Sequence, residues 1–348
     1  MEPNFLIGAN PMPLYKAFPG EFKPDAGINV TGSTIRGIEG SYTIDPFPVA
    51  QTKRNHYDSR HGAKIKYLIM HYTVINFALT VQTFTANADT RRVSAHFVVA
   101  QNEAHVAAGK LLQVVPEDMR AWHAGLSAWQ ADEDLNPVSL AVEHVNQGFR
   151  ETTGAQRQYY PYDQNQIRSS GVLSNSIVRQ YNILPRHVLG HEDIAPGRKY
   201  DPGPYFPWAV FYHNYSVGAW LDQEEMDKDA IIRKYRPQRP YPLQPDRDVL
   251  LDMLTSYGYS LRGTTPSGVI RAFKTHFSAN QRPDMCDDNV REEDMFWAWA
   301  LEAKYSNITP SKTTPSPPSH IPNFAQKAPH KMWFLILAIQ AIIRISNL

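Results

Sequence analysis

The sequence predicts an α/β domain followed by a smaller, wholly helical unit. Between residues 63 and 215, short apolar runs alternate with longer amphipathic ones, which is typical of α/β folds. Residues 225–305 show helical spacing of apolar side chains and no strong strand pattern. Residues 306–331 hold six prolines among serines and threonines, which indicates a linker.

Four segments of the α/β part are predicted to be buried strands, because each is a short apolar run. They are Ile65–Tyr72, Ser94–Ala100, Ser139–Val145 and His187–His191. A long helix is predicted over Asn165–Tyr181, where apolar side chains recur at roughly helical spacing. Functional residues are expected at the strand ends, since a strand fixes their position while the following loop stays open.

The chain divides into four parts. Residues 1–62 are rich in proline and glycine and are expected to form an extended arm over the first domain, which spans residues 63–220. The helical unit covers residues 225–305, and residues 306–348 hold the Pro-rich linker and an apolar tail. As a helix, the tail run Met332–Ile343 would cover roughly 18 Å, short of a ~30 Å hydrocarbon core. This tail could dock into a groove, contact a membrane at its interface or stay exposed and promote aggregation, and all three alternatives stay open.

Composition limits the classes of partner. The net charge of +1 gives no strong field to attract nucleic acid or an anionic membrane, so no nucleic-acid partner is expected. Cys286 is the only cysteine, which excludes a disulfide framework and a cysteine-based zinc finger. No basic cluster followed by an apolar core stands at the start of the chain, so no secretory signal is visible.

Three residues of metal-ligating type stand at predicted strand ends or in a stiffened loop. His71 closes the first predicted strand, and His191 and Asp201 lie ten residues apart in a segment rich in proline and glycine. Two imidazoles and one carboxylate form an open zinc site whose fourth position is left to water. Such a site activates water and polarises a carbonyl, which predicts metal-assisted amide hydrolysis. Taken singly, each residue has an ordinary structural interpretation, as a satisfied histidine or a turn-forming aspartate.

Two further residues strengthen this prediction. Glu143 lies in a strand-like run that would not normally bury a carboxylate, so it needs a partner or a function. Beside a metal-activated water, that function is general base. Lys199 stands two residues before Asp201 and would place a cation on the developing oxyanion. The alternative for Lys199 is a solvated loop charge.

Five segments between Tyr57 and Trp208 together resemble the zinc-dependent N-acetylmuramoyl-L-alanine amidases of the type-2 family, which includes peptidoglycan recognition proteins. The segments are Ile69–Thr73, Val93–Phe97, Arg120–Gly125, Ser139–Asn146 and Gly190–Pro204. The resemblance implies a mixed central sheet flanked by helices. It also implies that His71, His191 and Asp201 hold Zn²⁺, that Glu143 is the base and that Lys199 supports the oxyanion.

The resemblance further implies hydrolysis of the amide bond between N-acetylmuramic acid and L-alanine of peptidoglycan or muropeptides, in cell-wall turnover or recycling. Trp122, His123, Ala124 and Gly125 are expected to line the cleft and contact sugar or peptide. His96 and His123 are not expected to bind the metal ion. The alternative is a peptidoglycan sensor that binds without cutting, although binding alone would need neither the metal ligands nor Glu143.

Residues 225–305 resemble small three-helix peptidoglycan-binding domains, on the segments Leu250–Tyr259 and Val269–Phe277. Lys274 stands where that family usually has glutamine, which weakens the inference of glycan binding. A wall-binding unit favours the cell envelope or periplasm as the location of the protein. The missing secretory signal favours the cytoplasm instead, and both locations stay open.

Overall fold

A mixed seven-stranded sheet flanked by helices forms the α/β domain, which confirms the predicted fold class. The computed structural model describes residues 34–37, 40–45, 56–85, 93–153 and 157–306. In chain order, its strands are β1 Thr34–Gly37, β2 Gly40–Asp45, β3 Tyr57–Ser59, β4 Tyr67–Tyr72, β5 Phe97–Val99, β6 Leu111–Gln113, β7 Met119–Ala121, β8 Ala128–Trp129, β9 Asp132–Glu133, β10 Ser139–His144, β11 Phe149–Glu151, β12 Arg157–Tyr159 and β13 Val188–Gly190.

The central sheet has the strand order β1-β2-β6-β5-β10-β4-β13. Strand β10 lies between β5 and β4 and is parallel to both, and β13 is parallel to β4. The other strands pair as three two-stranded ribbons, β3 with β7, β8 with β9 and β11 with β12. The carboxyl ends of β4, β10 and β13 therefore lie side by side at one edge.

The helices lie on both sides of this sheet and beyond it. They are α1 Phe77–Thr85, α2 Gln164–Gln180, α3 His191–Ile194, α4 Trp208–Tyr215, α5 Lys228–Tyr235, α6 Arg247–Tyr257, α7 Pro266–His276 and α8 Glu292–Tyr305. The predicted long helix is α2, and it begins where the Asp163 carboxylate accepts hydrogen bonds from the N–H groups of Asn165 and Gln166. The four predicted strands correspond to β4, β5, β10 and β13.

Side chains alternate along β4, so that its two faces point into two different cores. Leu68 and Met70 pack with apolar residues of α2 and α4. Tyr67 and Ile69 point the other way and join a core formed largely by α6, α7 and α8. The helical unit therefore covers one face of the central sheet, in the place where a further layer of helices would otherwise be needed.

Part of the predicted N-terminal arm belongs to the sheet, which corrects the expectation of an extended arm. Strand β1 pairs antiparallel with β2, and β2 runs parallel to β6. Ile35 and Ile44 are buried in the core beside α2. Strand β1 holds one apolar side chain, Ile35, and β2 holds two, Tyr42 and Ile44, so no apolar run marks either strand in the sequence. The other residues of the arm up to residue 55 lie outside the described ranges.

The predicted three helices of the C-terminal unit are α6, α7 and α8, and the shorter α5 packs beside α8. Lys274 of α7 is buried, and its ammonium lies 2.7 Å from Asp287 and 3.4 Å from Asp294. The lysine that replaces the usual glutamine is therefore engaged in an internal ion pair and is not presented to a glycan. Among the residues that the structure describes, no helix is long and apolar enough to cross a membrane. Of the linker and tail predicted for residues 306–348, residues 307–348 lie outside those ranges.

Candidate active site

The register of the parallel strands places the predicted base beside a predicted ligand. His71 is near the end of β4, and Glu143 occupies the directly opposite position on β10. On the other side of β4, Gly190 of β13 is opposite Met70, so His191 follows at the level of His71. Three functional residues thus meet at the carboxyl edge of three adjacent strands, where open parallel sheets bind their ligands.

Asp201 reaches the same point through the loop that follows α3. The backbone N–H of Glu192 donates to the Asp201 carbonyl at 2.9 Å, which ties the loop to the helix that begins with His191. The Tyr162 hydroxyl donates to the carbonyl of Pro202 at 2.7 Å. These two bonds fix the backbone at Asp201 and at the residue that follows it.

The three predicted ligands converge. His71 Nδ1 lies 3.1 Å from His191 Nδ1 and 2.9 Å from Asp201 Oδ2, and His191 Nδ1 lies 3.0 Å from the same oxygen. All three side chains are buried. Ligand atoms bound tetrahedrally at 2.0–2.1 Å lie roughly 3.4 Å apart, so this spacing is close to that of a metal site.

The donor set fits a metal ion. His191 Nε2 lies 3.2 Å from the Ala124 carbonyl, which can only accept, so Nε2 holds the proton and Nδ1 presents a lone pair. His71 Nε2 is likewise engaged, at 3.1 Å from His123 Nδ1. Burial, with the neighbouring His191, lowers the pKa of His71 to about 4, so its ring is neutral at pH 7. Neutral imidazole and ionised carboxylate are the forms that bind a metal.

Glu143 is a buried carboxylate with a free oxygen. Within the described ranges, its Oε2 has no hydrogen-bond partner. Burial raises the pKa of Glu143 well above the usual range, the nearby Asp201 raises it further, and Lys199 acts in the opposite direction. A buried carboxylate that lacks partners is costly to maintain, and such groups concentrate at functional sites.

Lys199 lies close enough to the site to act on its charges. Its positive charge lowers the pKa of both His71 and Glu143. Its backbone N–H donates to the Ala195 carbonyl at 3.1 Å, which holds the loop in a tight turn. Lys199 is half-buried, and its ammonium forms no salt bridge with a carboxylate of the described residues, which leaves it available to a substrate oxygen.

The four residues predicted to contact substrate have different environments. Trp122 is half-buried, and the Arg120 guanidinium stacks on its ring at 4.1 Å. Gly125 is exposed, whereas Ala124 is buried and uses its carbonyl to bind His191. His123 is buried, and both its ring nitrogens have partners inside the protein. Neither ring nitrogen of His123 is free to bind a substrate, and substrate contact by the four residues stays a prediction.

Histidine His96 lies apart from the converging ligands, as the resemblance implied. Its Nδ1 accepts the N–H of Ala141 at 3.1 Å, and its Nε2 lies 2.7 Å from the Arg60 guanidinium.

Asn136 was not predicted, although its Oδ1 accepts the N–H groups of both His123 and Ala124 at 3.0 and 2.9 Å. The only sequence signal for it is a polar residue before a proline at a strand start, which is common in ordinary turns.

Comparison with known proteins identifies the family. Residues 61–204 match the family model described as N-acetylmuramoyl-L-alanine amidase. The chain is 34% identical over 247 residues to the N-acetylmuramoyl-L-alanine amidase AmiD of Escherichia coli K12. The aligned region covers 70% of this chain and 84% of AmiD. The chain belongs to the N-acetylmuramoyl-L-alanine amidase family. The predicted enzyme class is thereby confirmed, and the chain is an amidase.

Solved structures agree with this family. An AmiD complex from E. coli with the substrate anhydro-N-acetylmuramic acid-L-Ala-D-γ-Glu-L-Lys has a TM-score of 0.58 and 30% identity, over 79% of this chain and 98% of AmiD. AmpDh3 of Pseudomonas aeruginosa, in complex with an anhydromuramic pentapeptide, has a TM-score of 0.58 and 32% identity, over 72% of this chain and 94% of its own. The 1,6-anhydro-N-acetylmuramyl-L-alanine amidase AmpD of Citrobacter freundii is 36% identical over 120 residues, 34% of this chain and 56% of AmpD.

Proposed function

We propose that this amidase uses one zinc ion, held by His71, His191 and Asp201, to hydrolyse the amide between N-acetylmuramic acid and L-alanine in muropeptides. The principal support is the convergence of two imidazole nitrogens and one carboxylate oxygen within 3.1 Å, beside Glu143. Muropeptides with a 1,6-anhydro sugar are included, because the related AmiD and AmpDh3 structures hold such molecules.

The residues of the site divide the chemistry between them. A bound zinc would supply Lewis acidity to the scissile carbonyl and lower the pKa of water. Glu143 would take a proton from the attacking water as the water oxygen bonds to the carbonyl carbon. The same carboxyl would then deliver that proton to the alanine nitrogen as the C–N bond breaks. The products are a lactyl carboxylate and a peptide with a free amino terminus.

Metal removal tests the proposed chemistry. A chelator should abolish cleavage, and addition of one equivalent of zinc should restore it, because the bound metal is proposed to lower the pKa of the attacking water, which Lys199 alone would not do. Mass spectrometry of products from purified sacculi and from soluble anhydro-muropeptides, side by side, gives the readout and the substrate preference. Cleavage that survives complete removal of the metal would contradict the zinc assignment. Binding of both substrates without cleavage in any state would support the sensor alternative.

Lys199 is proposed to stabilise the oxyanion, since a lysine beside the ligand Asp201 can direct its ammonium at the carbonyl oxygen. Lys199→Ala should lower kcat by about 10²–10³-fold, the usual loss for one preorganised donor, with zinc affinity nearly unchanged. Lys199→Arg should recover only part of the rate, because a planar guanidinium places its charge differently.

Steady-state rates on a soluble muropeptide, with zinc content measured in parallel, check this prediction. Lys66→Ala is a matched control, since the Lys66 ammonium is exposed and bonded to Asp132 away from the ligands. It should change kcat by less than about twofold, as expected for a surface pair. Wild-type turnover in Lys199→Ala would exclude the oxyanion role.

The location in the cell stays a prediction, with the envelope favoured and the cytoplasm as the alternative. The anhydro-muropeptides of the related structures are small fragments of the wall, and their presence does not distinguish the two places. Cell fractionation with an antibody to the protein would decide between them.

A further inference from the structure

The His123 ring lies behind the His71 ring, on the side of His71 that faces away from Asp201. His123 Nδ1 is 3.1 Å from His71 Nε2, and His123 Nε2 is 3.0 Å from the Ser139 hydroxyl. The Ser139 hydroxyl donates in turn to the Leu135 carbonyl at 2.6 Å. The chain of contacts therefore ends on a group that can only accept a proton.

That end point fixes the direction of every bond in the chain. The single Ser139 proton goes to the Leu135 carbonyl, so the Ser139 oxygen accepts from His123 Nε2–H. A neutral His123 protonated at Nε2 has a bare Nδ1, which accepts from His71 Nε2–H. His71 Nδ1 is consequently left without a proton and directed at the shared ligand position. Between His71 Nε2 and the Leu135 carbonyl, any other arrangement leaves two protons or two lone pairs facing each other.

His191, the second proposed ligand histidine, is oriented by Ala124, the residue that follows His123 in the chain. His191 Nε2–H donates to the carbonyl of Ala124, next to His123 in the chain. The N–H groups of His123 and Ala124 both donate to Asn136 Oδ1, at 3.0 and 2.9 Å. The amide of Asn136 is itself oriented, because its Nδ2 donates to Asp134 at 3.0 Å. The His123–Ala124 dipeptide, held by Asn136, thus orients the imidazole rings of both His71 and His191.

We propose that His123 is a positioning residue that fixes the tautomer and ring angle of His71, and that the His123–Ala124 dipeptide thereby sets the metal affinity of the site. This inference rests on the proposed zinc function. The outer partner of a metal-binding histidine is usually a carboxylate, a carbonyl or water, whereas here a second imidazole has that role. Without it, the His71 ring can place its proton on Nδ1, where that proton would block the ligand position.

The zinc dissociation constant, measured by competition with a chromophoric chelator, is the decisive readout. His123→Ala should weaken zinc binding by about 10–100-fold, the usual effect of losing such a partner. His123→Asn should recover most of the affinity, because its side-chain oxygen can accept from His71 Nε2–H. Ser139→Ala should give an intermediate loss, since it removes the bond that fixes the His123 tautomer and changes little volume.

His144→Ala is the matched control for this experiment. His144 is another buried histidine near His71, but its Nδ1 lies 2.9 Å from the backbone carbonyl of His71 and its Nε2 lies 2.7 Å from Ser170. It contacts no ligand ring through a hydrogen bond, so its loss should lower the unfolding temperature and change the zinc dissociation constant by less than about threefold. The absorption spectrum of the cobalt-substituted protein should shift in His123→Ala and stay unchanged in His144→Ala.

Three results separate the possible failures. If His123→Ala and Ser139→Ala bind zinc as the wild type does, the positioning role is wrong and the proposed function stands. If His144→Ala weakens zinc binding as much as His123→Ala, the effect is one of general stability, and the positioning role is again wrong. If the wild type binds no zinc, the proposed function itself fails. Should His123→Ala not fold, Ser139→Ala and His123→Asn still give the comparison.

Discussion

Replacing Glu143 with glutamine is expected to lower kcat by about 10²–10⁴-fold, the usual loss when a general base is removed. The amide has nearly the shape of the carboxylate but cannot accept the proton of the attacking water. Zinc content should stay at one equivalent, because the convergent ligand atoms come from His71, His191 and Asp201. The unfolding temperature should not fall, since Glu143 Oε2 has no partner among the described residues to lose.

The measurement is turnover of a soluble muropeptide together with metal analysis and thermal unfolding of each variant. Glu117→Gln is the matched control, because Glu117 is also a buried glutamate whose pKa is raised by burial. Glu117 is bonded to Tyr181 and Gln180, away from the ligands, so its substitution should affect stability more than kcat. A Glu143→Gln protein that loses its zinc would make Glu143 a ligand or a structural residue.

The sequence indicated which residues form the candidate site, but it did not indicate which residues orient their side chains. The sequence predicted three of the site residues because each lies in or beside a short apolar run: His71, Glu143 and His191. Such a run, and the end of the strand it predicts, can be recognised from neighbouring residues alone. Their joint position follows from the register of parallel strands, which only the family resemblance could indicate. The structural role of His123 depends on its spatial neighbours His71 and Ser139, which are 52 and 16 residues away in the chain.

The missed features of the fold have a similar cause. Strands β1 and β2 hold few apolar side chains, and their place at the sheet edge depends on β6. The apolar spacing of α6, α7 and α8 predicted helices, but not the surface on which they pack. That surface includes Tyr67 and Ile69 of the catalytic sheet, and such long-range contacts leave no local pattern.

The helical unit is joined to the catalytic domain by a buried contact that includes polar bonds. Asp193, two residues after His191, accepts the Tyr259 hydroxyl at 2.6 Å and lies 2.6 Å from His276 Nδ1. The same carboxylate accepts the N–H of Gly190 at 2.7 Å, just before the ligand His191. A fully buried Trp129 packs edge-on against Tyr259, with ring centroids 4.8 Å apart. Loss of the helical unit would leave these groups of the catalytic domain uncovered.

Gly258→Ala tests this joint without deleting any part of the chain, and it should lower the free energy of unfolding by about 2–4 kcal/mol. A Cβ at Gly258 would lie 2.5 Å from the Trp129 ring, and the Gly258 φ of +152° is strained for a side chain. Overpacking in a rigid core typically costs about 1–3 kcal/mol, to which that strain adds. Because both units share this core, one cooperative transition should move to lower denaturant concentration, and activities on soluble muropeptides and on sacculi should fall together on warming.

Gly263→Ala isolates the contribution of the contact in this experiment. Gly263 also has a positive φ, +65°, but a Cβ there would have no atom within 4 Å, so only backbone strain of about 1 kcal/mol is expected. The difference between the two variants, followed by urea unfolding, measures the clash with Trp129 together with the greater backbone strain at the Gly258 φ of +152°. Equal losses would show that Trp129 yields without cost, and two separate transitions would show that the helical unit folds independently. The second result would contradict a shared core. In that case deletion of residues 223–348 should leave a soluble, active catalytic domain, whereas a shared core predicts loss of activity on both substrates.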